Sequence, residues 1–150
     1  MNDSVTVNKI LWGKALWKST LALLISFVFY LLPGLIVGIK MGVELGPNSN
    51  NPAEVSATIS KAVSILYQEN TWINIGFIVL NGLLLFLYSK KLSKGTGDKM
   101  RINGLIVGSF PALIGLLSII MIGSNLFFLA MIIVSLGSGL LGSVVHSKSS

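Results

Sequence analysis

STLALLISFVFYLLPGLIVGI, residues 19–39, runs for 21 positions without an Asp, Glu, Lys or Arg, and is closed at its ends by Lys18 and Lys40. An α-helix in water needs a polar face, with apolar residues recurring at helical period on the other side. This stretch has no polar face. About 20 mostly apolar residues make a helix long enough to cross roughly 30 Å of hydrocarbon. Residues 19–39 therefore read as a membrane span, and the rest of the chain repeats the pattern.

NTWINIGFIVLNGLLLFLYS, residues 70–89, is a second uncharged run between Glu69 and Lys90, and residues 102–147 hold no Asp, Glu, Lys or Arg at all. The last run is too long for one crossing and suits two, divided at Gly123-Ser124-Asn125, the only turn-forming cluster near its middle. Four transmembrane helices follow, at about 20–39, 72–89, 103–122 and 126–145. Together they form one all-α integral membrane domain over residues 1–150. Composition agrees: 53% of residues are apolar, 11% are charged and the mean hydropathy is +0.82. Soluble domains run nearer 25% charged. The first run is also too long for the apolar core of a secretory signal and no A-x-A site follows it, so it reads as an uncleaved span.

The formal net charge of +6 matters less than its placement. Lys9, Lys14 and Lys18 precede the first span. Lys90, Lys91, Lys94, Lys99 and Arg101 lie between the second and third, and Lys148 follows the fourth. The intervening segment, residues 40–71, carries only Lys40 and Lys61, accompanied by Glu44, Glu54 and Glu69. Lys and Arg in short loops mark the cytoplasmic side. Both termini and the 89–101 loop are expected in the cytoplasm, in the cell membrane, with 40–71 outside. Within that loop, GTGDK lacks the GxxxxGK[ST] spacing of a phosphate cradle. It reads as a connector whose lysines fix topology, with anionic lipid headgroups as a further candidate partner. Nucleic acid is not expected.

The external segment contains one helical pattern, at about 52–68. Asn51 suits the N-cap, Pro52 the first helical position and Glu54 the capping box. Val55, Ile59, Val63 and Leu66 make an apolar stripe on an otherwise polar helix. This short amphipathic helix suits the membrane interface, the end of the bundle or a partner. Trp12, Trp17 and Trp72 fall at span boundaries, where amphipathic rings favour headgroup depth.

Inside lipid, helices associate through close backbone approach and interhelical hydrogen bonds. Gly34, Gly38 and Gly42 lie four apart, as do Gly104 and Gly108, and Ser135–Gly139 overlaps Ser138–Gly142 at the same spacing. These are candidate packing ridges, within the chain or between copies. Pro33 and Pro111 each remove an amide from a span. The pentapeptide Gly-Leu-Ile-Val-Gly occurs at 34–38 and again at 104–108, a slight hint of a duplicated hairpin. In the second span Asn74, Asn81 and Tyr88 recur every seven residues on one face. They form a candidate intramembrane polar or solute site, with Asn81 near mid-bilayer.

Chemistry-bearing residues are scarce. The chain has no Cys and one His, His146, and no carboxylate falls in any span. That argues against thiol catalysis, zinc and a proton relay. The span serines have no neighbouring base to activate them. No catalytic residue, cofactor or metal is expected. What remains is a non-enzymatic membrane protein that binds another membrane protein or itself as an accessory, assembly or immunity-type subunit. The alternative is a small oligomeric transporter or channel lined by polar residues of the second span.

Overall fold

The computed structural model describes residues 10–48, 51–93, 96, 99–123 and 125–147. Five α-helices follow one another: α1 Trp12–Leu45, α2 Pro52–Glu69, α3 Thr71–Ser93, α4 Met100–Ile122 and α5 Leu126–Ser147. Four of them, α1, α3, α4 and α5, are long and apolar enough to cross a membrane. The chain is an all-α, multi-pass transmembrane protein.

The helices are longer than the spans read from charge. α1 starts ahead of Lys14 and Lys18 and continues past Lys40 and Glu44 to Leu45. Lys and Glu are good helix formers, so a charge marks where lipid ends and not where the helix ends. At 34 residues, α1 is about 50 Å long. It stops where Gly46 and Pro47 enter a short 3-10 turn, Gly46–Asn48. α4 ends at Gly123, whose φ of +106° is open to glycine and strained for other residues. The amide of Gly123 still bonds the carbonyl of Ile119 at 3.0 Å, closing the last turn. α2 begins as its sequence dictates: the Asn51 side chain accepts from the Ala53 amide at 3.2 Å, ahead of Pro52.

Close packing groups the chain into two compact units, residues 1–25 with 78–150, and residues 26–77. The first is a bundle of four helical segments. α4 and α5 run antiparallel, Gly104 lying against Gly139, Gly108 against Ser135 and Gly115 against Ile132. α3 and α5 run parallel, Gly82 lying against Val134 and Ser138 and Phe86 against Gly142. The start of α1 joins at the α4 N-terminus, where the Leu11 amide donates to Asn103 Oδ1 at 2.8 Å. That bond satisfies one of the orphan amides at a helix start. Ala15, Ala22, Leu85, Leu92, Ile106 and Val107 form the buried apolar core.

Beside that core the buried positions of this unit are largely polar or small, and its outside is apolar. Ser19, Asn81, Ser89, Asn103, Ser135 and Ser143 are buried, while Ile120 and Ile133 are 72% and 70% exposed. Hydrocarbon explains the inversion: a large apolar side chain facing lipid loses nothing, and the backbones approach only where side chains are small.

The second unit contains the later part of α1, all of α2 and the start of α3. α2 lies antiparallel along α1. A Cβ placed on Gly38 or Gly42 would be 3.8 or 3.9 Å from Ile59, and one on Gly34 would run into the Tyr67 ring. Val55, Ile59, Val63 and Leu66 are half-buried, and no residue of α2 is fully buried.

Candidate functional site

Three groups of polar side chains stand out, and Asn74, Asn81 and Tyr88 fall in different ones. The first is a knot around Tyr67 in the second unit. Tyr67 Oη donates to the Tyr30 carbonyl at 2.8 Å and accepts from the Gly34 amide at 3.3 Å. That carbonyl and that amide are four residues apart, the pair an undisturbed α-helix joins directly. The hydroxyl thus bridges both ends of a rung of α1, beside Pro33, which has no amide to offer Phe29. Asn74 then ties in α3. Its Nδ2 donates to the Tyr67 carbonyl at 3.2 Å, and its Oδ1 accepts from Tyr30 Oη at 3.2 Å. The Tyr30 ring packs against Tyr67 and Phe77 with centroids 4.8 and 5.3 Å apart. Each hydrogen bond among these groups is part-buried.

The second group lies in the bundle unit. Asn81 Nδ2 donates to Ser135 Oγ at 3.3 Å. Ser89 Oγ donates to the Gly139 carbonyl at 2.6 Å, so α3 grips α5 at two levels. Asn81 is 1% exposed, yet its Oδ1 has no hydrogen-bond partner among the described residues, and neither does Ser19 Oγ. An unpaired buried acceptor costs free energy, so Asn81 is held in place less completely than Asn74.

The third group is basic. Lys18 Nζ sits 5.0 Å from the centre of the Tyr88 ring, a cation–π contact between α1 and α3. Lys90 and Lys91 lie in the last turn of α3, where the helix dipole favours cations. Lys99 and Arg101 are placed the other way. Lys99 is the N-cap of α4, with no side-chain cap bond, and no acid occupies the first turn. A like charge at that end opposes the dipole by about 0.3–1 kcal/mol. Lys94 lies outside the described residues. No Asp or Glu occurs among the described residues of this unit, whereas Glu44, Glu54 and Glu69 all belong to the other.

The small-residue ridges all meet neighbours of their own unit. Gly34, Gly38 and Gly42 face α2. Gly104 and Gly108 face Gly139 and Ser135, and Gly142 faces Phe86 and Ser89 of α3. Tyr30, Tyr67 and Asn103 carry contacts that no spacing in the sequence announces. The nearest sequence signal is Pro33-Gly34, a weakened rung with room beside it. No group of three His, Cys, Asp or Glu residues able to hold a metal occurs among the described residues. Compared with known protein families, curated proteins and solved structures, the chain matches none.

Proposed function

We propose that this protein is a non-enzymatic subunit of the cell membrane, an accessory, assembly or immunity-type protein that binds another membrane protein or itself. In this reading both termini and the 89–101 loop face the cytoplasm, and α2 lies on the external side. One observation carries it: most polar side chains within the spans are spent on bonds inside the chain, several of them between helices. Asn74, Ser89 and Tyr67 each bond across a helix boundary, and Ser109 and Ser118 bond carbonyls of their own helix. Because the glycine ridges are filled from within the chain, contact with another protein falls to outward apolar side chains such as Val28, Ile36 and Val43 on α1.

Photo-crosslinking from those three positions in intact membranes tests this. A discrete protein adduct is expected from at least one of them. No adduct from any, together with a monomer in mild detergent, overturns the reading. Sidedness is checked separately, since the chain has no cysteine of its own. A cysteine at exposed Lys91 should label only from the cytoplasmic side, and one at exposed Ser56 only from outside.

The second reading, a small oligomeric transporter or channel, is favoured by the unpartnered Asn81 Oδ1. A passing solute or water would supply the donor it lacks. Solute flux in liposomes that Asn81→Leu abolishes would establish this reading in place of the first.

A further inference from the structure

We propose that the basic end of the bundle unit is a binding site for the phosphate of an anionic membrane lipid. The start of α1, the end of α3 and the start of α4 meet there. Leu11 bonds Asn103 and Lys18 stacks on Tyr88. These contacts bring Lys14 and Lys18, Lys90 and Lys91, and Lys99 and Arg101 to one end of a single unit. The described residues of that unit hold no carboxylate, Asp98 beside Lys99 lying outside them, and the six basic side chains outnumber it. Lys99 and Arg101 sit where the α4 dipole is positive, so the sequence concentrates like charge at a place that repels it. An anion held there relieves both the side-chain repulsion and the opposed dipole. Phosphate oxygens accept charge-assisted hydrogen bonds from Lys and Arg.

The occupant is a lipid because of what surrounds the charges. Trp12 and Trp17 are 59% and 66% exposed beside Lys14 and Lys18, as rings at headgroup depth are. Leu16, on the same turns, is exposed too. Lys18 is only half-exposed, with its ammonium over the Tyr88 ring, and a long basic side chain at the lipid–water boundary keeps its charge at that level. A headgroup phosphate at this level has its acyl chains in hydrocarbon, against the apolar outside of the bundle.

The test uses the full chain carrying Trp72→Phe, so that emission comes from Trp12 and Trp17. The protein is reconstituted in phosphatidylcholine with a minor fraction of phosphatidylglycerol, brominating one lipid or the other. Brominated phosphatidylglycerol is expected to quench well beyond its mole fraction. Each engaged basic side chain contributes about fivefold to the preference. Lys18→Gln with Arg101→Gln removes most of it, and Lys18→Arg retains it. Equal quenching by the two lipids overturns the proposal, as does a preference unchanged in the double variant. Inorganic phosphate at millimolar concentration should leave the preference intact; if it erases it, the site belongs to a soluble anion and the lipid assignment falls. Should the double variant lose its helical circular dichroism, a potassium chloride titration of the parent decides. A preference that falls as salt rises supports the lipid site, and one indifferent to salt overturns it.

Discussion

Gly-Leu-Ile-Val-Gly at 34–38 and the same five residues at 104–108 are closed off by different kinds of neighbour. In the first copy the glycines meet side chains: the Tyr67 hydroxyl at Gly34 and Ile59 at Gly38. In the second they meet main chain, the Gly139 carbonyl at Gly104 and the Ser135 carbonyl at Gly108. One pentapeptide therefore serves two purposes. Where the partner helix also carries small residues, as α5 does, the backbones touch and the interface is close. Where the partner brings Ile and Tyr, as α2 does, the groove is filled from across, and a hydroxyl is delivered into it. The small-xxx-small spacing specifies an opening; the facing helix decides what fills it.

The contrast breaks most sharply at Gly108. A methyl there meets the Ser135 carbonyl and the Leu136 Cα, neither of which can rotate away. Gly108→Ala is expected to cost about 3 kcal/mol, read as unfolding free energy by steric trapping in bicelles. A variant as stable as the parent would mean the two backbones do not touch. Next comes Tyr67→Phe, which keeps the ring and deletes the bridge between Tyr30 and Gly34. Two membrane hydrogen bonds at about 0.6 kcal/mol each put the loss near 1 kcal/mol, with faster hydrogen exchange at the Gly34 amide. Unchanged exchange there would remove the bridge from the account.

The smallest effect belongs to Gly38→Ala. Its new methyl finds Ile59 at 3.8 Å, ordinary contact, while the helix gains from losing a glycine. A stabilisation of about 0.5 kcal/mol is expected. A loss comparable to that of Gly108→Ala would erase the difference between the two copies.

The four spans were legible because hydrocarbon imposes a coarse rule: residues 19–39, 70–89 and 102–147 have no charge to keep in water. Helix ends were less legible. Lys14, Lys40, Glu44 and Lys90 all stay helical, since crossing out of lipid does not require leaving the helix. Asn51 and Pro52 announced α2 through local chemistry, an acceptor beside a residue without an amide. The knot was not legible in the same way. Tyr30, Tyr67 and Asn74 are brought together by how α1, α2 and α3 lie on one another, and no local pattern encodes a contact across 37 residues. Asn81 was visible as a polar residue in a span, but its Ser135 partner and its idle oxygen depend on the register of α3 against α5.

At Pro33 one rung of α1 lacks its amide, and at the next, Tyr30 to Gly34, a splint is borrowed from another helix. The flexural stiffness of α1 at that point is accordingly a property of where Tyr67 sits. A force that draws α2 away withdraws the splint, and the first mechanical response is compliance in α1, three dozen residues upstream in the chain.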